Sequence, residues 1–150
     1  MEKKRKIVPP VYFFTALVSI IVLHFQYPMG SYVDGPLQYG GVVLASFGLG
    51  MAIMSVGVFK KVNTGIVPFD EASYLVTGGF YKYTRNPMYL GMVMFLLGAS
   101  IISGSVSTLF PIPFFIWVIH ANFILGEERF MEEAFGEQYL EFKRRVRRWI

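Results

Sequence analysis

The chain contains no cysteine. That excludes a disulfide scaffold, a thiol nucleophile and any zinc or iron–sulfur site built on thiolates. Charge is scarce too: Lys, Arg, Asp and Glu make up 16% of the 150 residues, against about 25% in soluble domains. Hydrophobic residues reach 54% and the mean hydropathy is +0.48, which excludes a disordered chain. The length suits one domain. No internal repeat and no low-complexity segment is visible.

The missing charge is concentrated in blocks. Lys, Arg, Asp and Glu are absent from residues 7–33, 35–59 and 86–126. A helix needs about 20 apolar residues to cross a hydrocarbon core of about 30 Å. The first two gaps each fit one crossing, over 11–27 and 37–58. The third fits two, over 88–102 and 106–125, turned at Ser103-Gly104-Ser105 by small flexible residues. The shorter arm, 88–102, starts in the headgroup layer. The fold class predicted is all-α, a membrane bundle of four transmembrane helices. A soluble all-α domain is disfavoured, because uncharged runs this long are hard to bury in so small a core.

All 14 Lys and Arg residues then lie on one side: Lys3 to Lys6, the middle loop with Lys60, Lys61, Lys82 and Arg85, and the tail from Arg129 to Arg148. The opposite loops hold only Asp34. Cytoplasmic loops are enriched in Lys and Arg, so both termini are expected in the cytoplasm. The pI of about 9.4 follows from the net charge of +4, and the one-sided distribution makes membrane lipids rather than nucleic acid the expected partners. The first apolar stretch lacks an A-x-A-like cleavage site and reads as a retained span. Gly48, Gly50 and Gly57, with Ala45, Ala52 and Ser46, suggest a small-residue packing face on the second span.

Chemistry requires polar groups, and these fall in two blocks. In the first, Asn63-Thr64-Gly65, Pro68 and Gly78-Gly79 precede Phe80, Tyr81, Tyr83 and Tyr89. Arg85-Asn86-Pro87 is a sound helix start, with Asn86 as N-cap, Pro87 at the first helical position and Arg85 snorkelling to the interface. The same geometry also suits a bound carboxylate, because a helix N-terminus offers free N–H groups and Arg a cationic fork. In the second block, Glu127-Glu128 follow the long uncharged run. They are either the wet face of a continuing helix, with Arg129 and Glu133 paired locally, or carboxylates for a cationic ligand. His120 lies seven residues before Glu127, on nearly the same face of a regular helix. It is either a ligand contact or an interhelical hydrogen-bonding group. The tail breaks at Gly136 and continues as a basic amphipathic helix suited to an anionic membrane surface.

The run from Leu75 to Gly91, with Gly78-Gly79-Phe80-Tyr81 and Arg85-Asn86-Pro87-Met88-Tyr89-Leu90-Gly91, resembles the signature of the isoprenylcysteine carboxyl methyltransferase and phospholipid methyltransferase superfamily. Glu127-Glu128 and the segment from Phe135 to Val146 follow in the family's order. The resemblance covers residues 63–150, and the R-N-P-M-Y form is that of the bacterial branch; eukaryotic members carry His where Asn86 stands. It implies an integral membrane enzyme using S-adenosylmethionine, with the cytoplasmic loop and C-terminal amphipathic helix forming the cofactor pocket. The cofactor contacts it implies are Arg85, Asn86, Pro87, Tyr89, Gly91, Glu127, Glu128 and Tyr139; Val76, Gly78, Tyr81 and His120 are further candidate contacts. Arg85 and Glu128 are the candidate catalytic residues, Glu128 as proton acceptor where the methyl acceptor is one that must lose a proton, and no metal is expected. A lipophilic methyl acceptor (a prenylcysteine-like carboxylate, a lipid amine or a small thiol) would enter from the bilayer, in a bacterial inner membrane. The alternatives are an NADPH-dependent membrane reductase of steroid-reductase-like layout and a non-enzymatic bundle that binds lipid or a partner.

Overall fold

A computed structural model describes residues 8–61 and 74–150. The basic run at 3–6 and the loop residues Asn63-Thr64-Gly65 and Pro68 lie outside them. Among the described residues the structure is helical, apart from one antiparallel bridge between Ser31 and Ser105. α1 spans Pro9–Gln26, α2 Gln38–Lys61 and α3 Pro87–Ser103. α4, Pro111–Ile119, runs through a π-helical turn, His120–Ile124, into α5, Leu125–Phe135, and α6, Glu137–Arg145, comes last.

Prolines open α1, α3 and α4, where their missing N–H costs no helical bond. Gly104 ends α3 in the left-handed region, φ 68°, as the Ser-Gly-Ser turn requires. Gly136, φ 52°, separates α5 from α6.

The runs Pro9–Gln26, Gly35–Val58 and Val106–Phe135 are long and apolar enough to cross a membrane. α3 is the exception to the four-span expectation. Its 17 residues rise about 25 Å at 1.5 Å each, short of a core of about 30 Å. The last membrane-length run also continues well beyond residue 125, so Glu127 and Glu128 are helical. Phe14, Val18, Val43, Phe47, Phe114 and Trp117 point outward, an apolar band of the kind hydrocarbon covers.

α2 packs antiparallel on α3, with Gly41 against Gly98 and Gly48 against Gly91. A Cβ on Gly48 would lie 2.5 Å from the Gly91 carbonyl oxygen. The seam on α2 is Gly41, Ala45, Gly48, Ala52 and Ser55, spaced alternately four and three residues apart, which holds one face of a helix. Gly50 and Gly57 are not part of it. Nothing lies within 4 Å of where their Cβ atoms would be, and Ser46 is exposed. Two residues past Gly48 is about 200° round the helix, on its far side.

α1, α3 and α4 enclose the main core, centred on Ile20, Val93, Leu96, Phe115, Ile119 and Ile124. A second cluster caps the polar end of the bundle: Val76, Tyr81, Tyr139, Phe142 and Val146. It joins the turn before α3 to α6. The apolar face of α6 is therefore covered by protein rather than laid on a membrane, and Trp149 packs against the main core.

Candidate functional site

The polar end gathers three segments: the turn at residues 84–86, the start of α5, and the tail beyond α6. Glu128 sits at their centre, 6% exposed. Its Oε1 accepts from Arg85 Nη2 at 2.8 Å and from Arg148 Nε at 2.8 Å, and its Oε2 accepts from Arg148 Nη2 at 2.8 Å. Two guanidinium groups share one buried carboxylate, a charge-assisted arrangement stronger than neutral hydrogen bonds.

Arg85 does not snorkel. Its side chain is 8% exposed, and Nη1 donates to the carbonyls of Lys143 and Val146. Its backbone N–H donates to the Arg147 carbonyl at 3.0 Å. A buried carboxylate and three tail carbonyls outcompete interfacial water for this residue. Arg85 Nε is buried and has no hydrogen-bond partner among the described residues.

Asn86 occupies the N-cap position but makes no side-chain cap bond. Its Nδ2 instead donates to the Arg148 carbonyl at 2.9 Å, and Thr84 Oγ1 donates to the same oxygen at 3.2 Å. The capping expectation is corrected by this competing tail acceptor. Arg129 likewise bonds within its own helix, Nε to the Leu125 carbonyl, rather than pairing with Glu133.

Glu127 faces a different environment. The buried Tyr89 hydroxyl donates to its Oε1 at 2.7 Å. Its Oε2 accepts no hydrogen bond from any described residue. Tyr81 and Tyr139 are buried too, and both feel the charge of Glu127. Burial first, and Glu127 second, push the Tyr81 hydroxyl above the ordinary phenol range. Burial and then Glu128 do the same to Tyr139, so both stay neutral near pH 7.

The other expected residues are spread more widely. Val76 is buried with Tyr81 and Tyr139 in the capping cluster. Gly78 precedes the 3₁₀ turn Gly79–Lys82, its carbonyl accepting from the Tyr81 N–H. Pro87 is buried at the start of α3, and Gly91 lies in the α2–α3 seam against Gly48. His120, half-buried, makes no hydrogen bond or ion pair with a described residue. It opens the π turn, in which the Leu125 N–H donates five residues back to the His120 carbonyl. A π turn carries one extra residue and rotates the helix on its C-terminal side by about 100°. The shared-face reading of His120 and Glu127 therefore fails, because the helix between them is not regular.

The participant missed by sequence reasoning is Arg148. Five basic residues crowd the tail, and spacing alone does not reveal which one turns inward. The usable signal is indirect: a buried acid requires cations, and Arg85 alone leaves Oε2 unpaired.

A groove of about 590 Å³ opens beside this site, between α2 and the Gly79–Lys82 turn. Ile53, Met54, Val58 and Phe80 form its apolar wall, Lys61 and Lys82 add charge, and Tyr81 lines it too. No group of three or more metal-binding side chains occurs among the described residues.

The family description Phospholipid methyltransferase fits residues 37–138. The protein-S-isoprenylcysteine O-methyltransferase of Schizosaccharomyces pombe is 29% identical over 72 residues, covering 48% of this chain and 30% of that protein. Protein-S-isoprenylcysteine O-methyltransferase B of Arabidopsis thaliana is 30% identical over 77 residues, covering 51% and 39%. The matched stretch thus spans well under half the length of these relatives. Among solved structures, the eukaryotic intramembrane Ras methyltransferase ICMT superposes with a TM-score of 0.54 at 19% identity, covering 100% of this chain and 53% of that one. The shared fold and the three membrane-length apolar helices identify an integral membrane protein.

Proposed function

The chain belongs to the phospholipid methyltransferase family, and on that premise we propose that it is a methyltransferase moving a methyl group from S-adenosylmethionine to a lipophilic acceptor at the cytoplasmic membrane face. The observation that carries this reading is the adjacent acidic pair at the polar end of the bundle, Glu127 held by the buried Tyr89 hydroxyl and Glu128 by Arg85 and Arg148.

The donor set fits the cofactor's charges. The Glu127 carboxylate, with one oxygen bonded to Tyr89, suits an ammonium group. Phenol rings suit adenine by stacking and a sulfonium by cation–π attraction. The N-terminus of α3, with Arg85 beside it, suits a carboxylate. S-adenosylmethionine, when bound, supplies a methyl group activated on sulfur. This chain's residues then align the partners and exclude water, which supplies much of the rate in a direct displacement. A carboxylate acceptor needs no general base, whereas an amine or thiol must lose a proton. Glu128, with both oxygens bonded to guanidinium groups, is the poorer proton acceptor of the pair.

The acceptor arrives through the groove beside α2. Its apolar wall suits an acyl or prenyl chain, and Tyr81 links it to the surroundings of Glu127. All four apolar helices sit in the membrane, α3 reaching only the headgroup layer at one end. Both termini face the cytoplasm, in a bacterial inner membrane.

Titration of the purified protein with S-adenosylhomocysteine, NADPH and NAD, read out by thermal shift, tests the reading, because a ligand of the folded state raises apparent stability. A shift with S-adenosylhomocysteine alone is expected. A shift with NADPH alone replaces this reading with the reductase, and no shift with any ligand favours a non-enzymatic bundle.

A further inference from the structure

We infer that Arg148 is a positioning residue for the donor pocket: its fork fixes the carboxylate plane of Glu128 and, through the tail, the spacing between Arg85 and Glu127. This rests on the methyltransferase reading.

Arg85 reaches Glu128 through a single nitrogen and a single oxygen, a contact about which the carboxylate can turn. Arg148 reaches it through Nε and Nη2 on both oxygens, each at 2.8 Å. Only this fork sets the plane, because a bidentate pair adds geometry to charge. Glu128 Oε2 has no other partner among the described residues. The backbone of Arg148 is tied down as well, its carbonyl accepting from Asn86 Nδ2 and Thr84 Oγ1. One residue thus grips α5 with its side chain and the turn before α3 with its carbonyl. Glu127, next to Glu128 on α5, is carried by the same grip, while Tyr89 holds it from α3. Trp149, packed on the main core, anchors the far side. The Arg148 side chain is 33% exposed, against 7% for Glu128, so its replacement opens no large hole.

The test is a double-mutant cycle read by S-adenosylhomocysteine affinity and apparent Tm, with no acceptor needed. Arg148→Ala should weaken binding about tenfold, the value of one charge-assisted interaction. Arg148→Lys should recover little, because it keeps charge and loses the fork. In a Glu128→Gln background, Arg148→Ala should add less than about a twofold loss, the mark of coupled residues. Arg147→Ala, at an exposed neighbour whose side chain bonds to no described residue, is the control and should bind like the parent.

A folded Arg148→Ala protein with parental affinity overturns the inference. So does full recovery by Arg148→Lys, or an equal loss in both Glu128 backgrounds. Where Glu128→Gln does not fold, the lysine comparison decides alone. A parent that binds no S-adenosyl ligand overturns the methyltransferase reading and this inference with it. A parent that binds, beside an unaffected Arg148→Ala, overturns the inference alone.

Discussion

Tyr89 donates its hydroxyl to Glu127 across 38 positions of sequence, tying the first turn of α3 to the start of α5 at 2.7 Å. The phenol is 2% exposed and packed in the main core, so it cannot swing away to water. The two partners of this bond are expected to respond differently to substitution. Tyr89→Phe keeps the ring and removes the donor, at a cost of about 1.5–3 kcal/mol for a hydrogen bond to a charged group. Apparent Tm and S-adenosylhomocysteine affinity should both fall. Glu127→Gln keeps an acceptor for Tyr89 and removes the charge. Its stability should stay near the parent while ligand affinity falls roughly tenfold. If Glu127→Gln binds the ligand as the parent does, Glu127 is not its ammonium partner.

Asn86 separates a helix cap from a tail fastener. As a cap it would be replaceable by Ser, which is about as good at that position. In the structure its Nδ2 reaches the Arg148 carbonyl, which the shorter serine hydroxyl cannot span. Asn86→Ser and Asn86→Ala should therefore both lose about 1 kcal/mol, the usual worth of a neutral hydrogen bond. Thermal unfolding in detergent compares them. Retained stability in the serine variant would restore the cap.

The α2–α3 seam gives a contrast between two glycines on one helix. Gly48→Ala places a Cβ 2.5 Å from the Gly91 carbonyl oxygen and 2.8 Å from Met94 Cβ. The helices must part, and overpacking of this kind costs about 1–3 kcal/mol. Gly50→Ala meets nothing within 4 Å. It should be neutral or stabilising by up to about 1 kcal/mol, since Ala is the better helix former. Apparent Tm values that fall equally for both would remove the seam from the account.

These cases show which features a sequence displays. Prolines at 9, 87 and 111 and glycines at 104 and 136 mark helix starts and stops, because the backbone rules they obey are local. The four apolar segments are legible in the missing charge. Which glycines form the seam depends on a partner helix, so composition alone includes Gly50 and Gly57 and omits Gly41. The π turn leaves no trace, because residues 106–125 are apolar almost throughout and show no phase to break. At the site, Arg85 and the acidic pair stand out by motif. Their actual partners do not, since the Arg148 fork and the tail carbonyls are tertiary contacts indifferent to spacing.

Orientation is testable in a chain with no native cysteine. Ser31 and Gln138 are both exposed, at opposite ends of the bundle. Ser105, 5% exposed, is a poor probe. With Lys and Arg inside, Ser31→Cys should react with an impermeant maleimide in intact cells and Gln138→Cys only after permeabilisation. The reverse pattern would invert the topology.

The π turn at His120–Ile124 sets the phase between the buried face of α4 and the acidic pair on α5. α4 buries Ile112, Phe115, Val118 and Ile119, while α5 buries Glu128. An uninterrupted α-helix would place Glu128 about 100° away from its observed direction. Arg85 and Arg148 would then lose the carboxylate between them. Deleting Ala121, an exposed residue within the turn, removes the extra position without opening the core and lets a regular helix run on with Glu128 in its observed direction. The variant should retain helical content and bind S-adenosylhomocysteine within about twofold of the parent. Inserting one alanine between Leu125 and Gly126 in the deletion variant lengthens a regular helix and turns Glu127 and Glu128 by about 100°. It should lose several kelvin of apparent Tm and more than tenfold of affinity, since two charge-assisted contacts go at about 1.5–3 kcal/mol each. An insertion variant that binds like the parent would show that the phase of α5 is set elsewhere. A deletion variant that loses binding while keeping its stability would place the requirement in the π turn itself, at His120, rather than in the direction of Glu128.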